Sequence, residues 1–441
     1  MLAGGLSVCR YSRPALRRIV GHGTAQQYLA GYLRELGVQG FVVESHYVDR
    51  HYLADYSAYY SRSFDAPPAH CRRVHFFSVP IAKIKRLFGR AYKSSKGRVA
   101  AEHELQEAYL GFVVVRPLPK APIGRAVLRT YPPRGARRYE VVRPYRVNLA
   151  GLRIEINGLA FQQQDQGAAV CASTALWSAL QRVAYVAGHR TPTPTAITAA
   201  AASPFPASHG LSEMQMATAL AKLGYIAEQF SPGIDRALFR AKVVACLDSQ
   251  LPVVLVIERT RKTGSGNVRI SHAVTVTGYQ RRPQTAPVED VAGAGVALPL
   301  ATSGTNVYYV HDDNLGSHAH YEFVDSESKD EQGCKVLLLQ RGDLKRKRVQ
   351  YWEIDHWEVV LALVPKPEKM RLSIEALFLD VAELNALFVA VFDGLKLSYS
   401  VRFESGVNYK RSLFNSRASP ASLQDFQQRS VEYEKDIEQL K

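Results

Sequence analysis

From residue 171 onward the chain sets its helical patterns first and its strand patterns after them, and this order limits its fold more than any other feature. Cys171–Ala187 is long and apolar-rich, with Ala175, Leu176, Ala179, Leu180, Val183 and Ala184 on one broad helical face. Thr193–Ala202 reads as a short helix with Thr193 as N-cap and Pro194 as its first residue. Ser212–Leu223 is another, capped by Ser212 and stopped by Gly224, and Ile234–Ser249 is a further one. Strand-like runs then follow at Leu251–Ile257, His272–Tyr279, Asn306–Val310 and Val349–Val364. A helical half therefore precedes a β half, which is an α+β arrangement. Gln280–Gly304, rich in Pro, Ala and Gly between two strands, reads as a long hairpin insertion.

Charge marks a boundary upstream of this region. The chain of 441 residues carries a formal net charge of +16. Met1–Ala150 holds 25 Lys and Arg against 9 Asp and Glu, so the whole excess lies in the first third. Gly151–Pro365 balances at 20 of each sign, and Lys366–Lys441 at 11 of each. This predicts three parts: a basic N-terminal α+β domain over residues 1–157, a central domain over 158–365, and a small α/β tail over 366–441. A basic first domain suits an anionic or protein partner, although no nucleic-acid motif accompanies it. Within it, Thr24–Leu36 and Arg50–Tyr60 have helical spacing, while Val38–Val43, Tyr109–Arg116, Tyr139–Val147 and Leu152–Ile156 read as strands. Pro117–Pro133, with its five prolines, reads as loop and edge structure.

Several classes are excluded. The apolar runs are broken by charge before the ~20 residues that a membrane span needs, as in Phe378–Leu397. The Arg-rich start, Met1–Val20, lacks the apolar core of a secretory signal. Five scattered cysteines (Cys9, Cys71, Cys171, Cys246, Cys334) without CxxC spacing argue against a disulfide framework and a zinc finger, and for a reducing, cytoplasmic setting. His318 and His320, near His311, Asp312 and Asp313, suggest a metal only faintly; a polar loop accounts for them, and no metal or cofactor is expected.

Three segments carry chemistry together. Cys171 opens the first central helix, where the positive end of the helix dipole favours a thiolate. It follows Phe161-Gln-Gln-Gln-Asp-Gln-Gly-Ala-Ala-Val170. His272 starts an apolar strand after the polar stretch Thr260–Ser271, taken here as a loop, and is placed to act as base toward a thiol. Val310-His-Asp-Asp-Asn-Leu-Gly316 ends the next strand. There Asp312, with Asp313 and Asn314 as alternates, would orient the imidazole.

The order Cys, His, Asp on helix, strand and next strand resembles the papain-like cysteine peptidases, most closely their bacteriocin-processing (double-glycine leader) peptidase branch. Cys171-Ala-Ser-Thr-Ala-Leu-Trp177, Gly210–Leu220 with Leu223-Gly-Tyr225, Ser249–Ile257, His272–Tyr279 and Asp312 to Gly316 carry the resemblance, over roughly residues 158–365. It implies a papain-like catalytic domain with a helical half and an antiparallel β half. It also implies a glutamine in the oxyanion hole. The family position six residues before the cysteine is Asp165 here, so Gln164 or Gln166 would take that role. The expected activity is cleavage of a peptide or amide bond through Cys171, His272 and Asp312. A catalytically silent papain-like scaffold, and acyl or peptidyl transfer on the same triad, remain open.

Overall fold

The computed structural model describes residues 5–132, 137–165, 170–203, 210–233, 236–263, 266–280, 305–329, 335–341, 356–370, 373, 374, 376–378, 380 and 381. Residues 281–304 of the expected insertion, the basic cluster Lys345–Arg348 and the tail elements expected at Lys396–Phe403 and Ser419–Leu440 lie outside these. The helix expected over Leu372–Leu387 is described only at its start, where residues 374, 376–378, 380 and 381 are helical.

The chain begins with β1 (Leu6–Arg10), α1 (Arg13–Val20), α2 (Thr24–Glu35), β2 (Gly40–Tyr47), α3 (Arg50–Ala58), β3 (Cys71–Phe77), α4 (Ile81–Ala91), α5 (Ser95–Ala108), β4 (Tyr109–Val115) and β5 (Ile123–Leu128). The five strands form one antiparallel sheet in the order β1-β2-β3-β4-β5. Both faces are covered, and the strand period of two decides which side chain goes where. Phe41, Val43, Val74, Phe76, Val113 and Val115 pack with Leu16, Leu29 and Leu33 of α1 and α2. Val42, Phe77, Phe112 and Val114 point the other way, into a core shared with Ile84, Leu87 and Phe88 of α4 and Leu105 of α5. Double coverage is why Tyr109–Val115 is an unbroken apolar run, and every residue of β4 is buried. The Pro-rich segment after it holds β5 on the sheet edge, where a missing N–H does least harm.

Two short elements lead on: β6 (Arg137–Arg138), then the hairpin β7 (Arg143–Leu149) and β8 (Leu152–Gly158). The helical half is α6 (Cys171–Val186), α7 (Pro194–Ala200), α8 (Glu213–Lys222), β9 (Tyr225–Phe230) and α9 (Arg236–Asp248). Thr193 caps α7 with Pro194 next, as expected. Ser212 caps α8 in a full capping box with Gln215, which the sequence reading did not include.

The β half is β10 (Val253–Thr263), β11 (Gly266–Gln280), β12 (Val307–Asp312), β13 (Gly316–Lys329), β14 (Lys335–Arg341) and β15 (His356–Pro367). Every pairing is antiparallel, and the ladder closes because β10 pairs with both β11 and β15. β9 adds to β15, and β6 adds to β11. The fold is thus α+β. Two local expectations are corrected. The described residues of Thr260–Ser271 are not a loop but lie in the two arms of the β10–β11 hairpin, with Thr260 opposite Arg269. His318 and His320 lie on β13 rather than in a polar loop, because Ala319, Tyr321 and Phe323 alternate with them and are buried. No helix among the described residues is long and apolar enough to cross a membrane.

The N-terminal sheet and the central elements meet closely. One buried cluster joins Phe112 and Tyr109 to Leu176, Trp177 and Leu180 of α6. Ala126 bridges to Phe161 in backbone hydrogen bonds of 2.8 Å. The Trp177 indole N–H donates to His51 Nδ1 at 3.1 Å. Tyr28 of α2 lies flat against Gly316, where a Cβ would sit 2.2 Å from its ring. Its hydroxyl donates to the Ser317 carbonyl at 3.0 Å. Gly316→Ala should therefore cost about 1–3 kcal/mol by overpacking. Tyr28→Ala in the same chain should remove the clash, so urea unfolding of the two single variants and the double variant should show non-additivity. Additive effects would deny the contact.

Candidate active site

Cys171, His272 and Asp312 come together. Cys171 is the first residue of α6, half-buried, with Val170 as N-cap. Val170 offers no side-chain cap, so the first-turn N–H groups keep their partial positive charge toward the thiol. His272 lies on β11, opposite Ile257 of β10, and is buried. Its Nε2 is 3.1 Å from Asp312 Oδ1 at the end of β12. Cys171 and His272 line the same cleft, and the nearby thiol favours the protonated imidazole. The Trp357 ring of β15 lies 5.5 Å from that of His272 and is itself backed by the Arg259 guanidinium at 4.5 Å.

Asp312 is fixed on both oxygens. Oδ1 accepts the Asn314 backbone N–H at 3.0 Å, and Oδ2 accepts the Tyr321 hydroxyl. Burial would raise its pKa, but the His272 contacts and these donors hold it below the usual carboxylate value. Burial alone would also discharge His272. Asp313, Asp312 and the Cys171 thiol outweigh that, and the imidazole pKa is raised well above its ordinary value. The alternates are also at the site. Asp313 Oδ1 is 3.5 Å from His272 Nε2, and Asn314 Nδ2 is 3.4 Å from it.

Gln164 lines the cleft and donates from Nε2 to Asn314 Oδ1 at 2.5 Å. One amide hydrogen is thus committed to the turn that holds Asp312, and the second is left for a ligand. Gln166 lies outside the described residues. Asp165, six residues before Cys171, is buried and pairs with Arg116 at 3.2 Å. Arg116 also donates to the Gln163 carbonyl at 2.8 Å and to the Ala121 carbonyl at 2.9 Å. The segment 163–165 is thereby pinned to the N-terminal sheet.

The residues face a cleft of ≈ 1350 Å³. Tyr59, Tyr60 and Leu118 form one wall, contributed by the N-terminal region, and Leu211, Met214 and Met216 form another. The Tyr52 and Tyr60 rings pack 6.2 Å apart, and Tyr60 with its neighbour Tyr59 reaches the cleft. Among the described residues, His272, Asp312 and Asp313 are the group able to offer a metal three donor atoms, all within 4.8 Å of one another. The same atoms are the ones that orient His272. His311 and His318 pack edge to face with ring centroids 4.5 Å apart, and burial lowers both pKa values, that of His311 to about 4.

Sequence reasoning missed Arg116, Tyr321 and Trp357. The alternation Ala319, Tyr321, Phe323 was the available signal for Tyr321; nothing in the sequence links Arg116 to Asp165. No protein-family model matches the chain, and no curated protein matches it.

The Arg116–Asp165 pair is testable on its own. Arg116→Met should destabilise the chain by about 3–5 kcal/mol, because it leaves a buried carboxylate without its cation. Adding Asp165→Asn should recover part of that loss in urea unfolding. A cost under about 1 kcal/mol for Arg116→Met would show that the pair does not hold the segment.

Proposed function

We propose that the chain is a papain-like cysteine peptidase or amidase, cleaving a peptide or amide bond through Cys171, His272 and Asp312. The observation that carries this reading is the imidazole of His272, held by a carboxylate on Nε2 and lining the same cleft as the helix-opening thiol of Cys171. In free solution a thiol is almost wholly protonated at pH 6. A neighbouring imidazolium and a helix N-terminus both favour the thiolate form of a cysteine.

The Cys171 thiolate attacks the carbonyl carbon. The uncommitted N–H groups at the start of α6 and the Gln164 amide stand on the side where the oxyanion forms, each such donor typically contributing ~3 kcal/mol. The C–N bond breaks as His272 gives its proton to the leaving nitrogen, leaving a thioester on Cys171. His272, now neutral, takes a proton from water as the water attacks the thioester. The acid product leaves and the thiolate–imidazolium pair is restored. Asp312 holds the ring orientation throughout. The substrate is a peptide or protein segment extended enough to lie between the tyrosine wall and the methionine wall.

The test is thiol alkylation at pH 6, read by mass spectrometry. Cys171 should react on the order of 100-fold faster than an ordinary thiol, and faster than Cys9, Cys71, Cys246 and Cys334. His272→Ala should abolish the lead. Equal rates at all cysteines would favour a catalytically silent scaffold. If Cys171 leads, added amine acceptors then separate hydrolysis from transfer by their products.

A further inference from the structure

Two consecutive carboxylates reach one imidazole, and only one of them is needed to orient it. Strand β12 ends at Asp312, its register to β13 slipping between Val310 and Asp312. The turn that follows brings Asp313 to the same ring nitrogen, so Oδ1 of each lies 3.1 Å and 3.5 Å from His272 Nε2. Their surroundings differ. Asp312 accepts hydrogen bonds from His272, Asn314 and Tyr321. Asp313 is 3% exposed, and its oxygens have no well-formed hydrogen bond among the described residues, with the Asn314 and Asp313 backbone N–H groups only weakly stabilising its charge. Burying a carboxylate without a donor is costly unless a cation faces it. The charge that faces Asp313 is the imidazolium of His272.

We propose that Asp313 is a positioning residue acting through His272: together with Asp312 it keeps the imidazole protonated beside Cys171 to higher pH than one carboxylate would sustain. The proposal rests on the reading of Cys171 and His272 as the working pair.

The groups facing His272 come from five elements. The end of β12 and its turn supply Asp312 and Asp313, and α6 supplies Cys171. From β13, Tyr321 acts on it through Asp312. On β10, Glu258 is engaged by the Ser271 hydroxyl at 2.7 Å and by Arg269, and Arg259 lies over Trp357 of β15. The two aspartates do not ionise together. Burial first, then the charge of Asp312, push Asp313 up to about 7, against the pull of His272. In acid Asp313 is neutral, and Asp312 alone holds the ring. As pH rises through neutrality Asp313 ionises, and the second charge arrives where an ordinary histidine would be losing its proton. The effect of Asp313 therefore falls on the basic side of the pH profile.

The experiment uses the full chain with 13C-labelled histidine, the His272 resonance being assigned from a His272→Gln variant. The imidazole is titrated in native protein, Asp313→Asn and Asp312→Asn, and Cys171 alkylation at pH 6 is measured alongside. Asp313→Asn should lower the His272 midpoint by about one pH unit or more. An unmoved midpoint would overturn the proposal. If Asp313→Asn does not fold, the native titration decides: His272 must report a second, coupled step near neutrality, and a single uncoupled step is the overturning result. The two readings fail separately. A slow Cys171 in native protein sinks the peptidase reading, while a lowered midpoint in Asp313→Asn would still support the action of Asp313 on His272.

Discussion

The rest of the structure depends on α6 being buried on almost every side. Twelve of its sixteen residues are buried. It packs against β10, β11, β12 and β15 of the closed sheet, against α7 and α8, and against β7. A helix so placed must satisfy most of the polar groups it carries, although Thr174 Oγ1 and Gln181 Nε2 find no partner among the described residues. The Ala175 carbonyl accepts the Thr275 hydroxyl at 2.8 Å, the Gln181 amide oxygen accepts Arg143 at 2.8 Å and Tyr145 at 3.2 Å, and the Trp177 indole finds His51. These bonds come from both sides of the helix, so its axis is fixed against the barrel and the N-terminal sheet together. The position of the Cys171 thiol follows from that fixing.

The same packing explains why the N-terminal region cannot be treated as a detachable basic appendage. Several of its few acids are taken by buried or half-buried partners: Glu44 by Arg73 and His75, Asp49 by Arg125 at 2.7 Å, Glu104 by Arg90 at 2.6 Å. Other arginines face inward for structural work, as Arg116 does toward residues 163–165. What is left on the outside is a subset of the excess, including Arg17, Arg18, Lys85, Arg86, Lys93 and Lys96. Net charge counted along the sequence therefore overstates the field at the surface, and it says nothing of the cleft, where Glu213, Glu258 and Asp313 outnumber Lys120.

Features set by periodicity or by local capping were legible. The face of Cys171–Val186, the N-cap at Thr193 and the stop at Gly224 depend on neighbours within one or two turns, and the chain alone reports those. The pattern Ile84, Leu87, Phe88, Ala91 was equally available, yet the helices at Ile81–Ala91 and Ser95–Ala108 were not read from it. β13 was hidden because its solvent-side residues, His320, Glu322 and Asp325, resemble the turn before it. The approach of Cys171, His272 and Asp312 was legible as an order of elements. Its geometry was not, since 40 residues separate His272 from Asp312. Arg116 with Asp165 and Tyr28 with Gly316 join parts of the chain whose contact depends on how two sheets stack, and no local pattern encodes that.

The turn after β12 shows how these layers converge. Asp312 needs its backbone held so that one carboxylate oxygen meets His272 and the other meets Tyr321. Asn314 contributes an N–H to Asp312 and a side-chain oxygen to Gln164, linking the imidazole's support to the segment before Cys171. Gly316 then admits the ring of Tyr28, and Ser317 receives its hydroxyl. Gln164 is fixed in turn through Gln163 and Asp165 to Arg116, which belongs to the N-terminal sheet. The sheet thus braces both ends of the site, one through α2 and one through Arg116. A cleft walled by that sheet will change shape only if one of these two braces gives way, and this makes the N-terminal region a structural component of the site whatever else its basic surface meets.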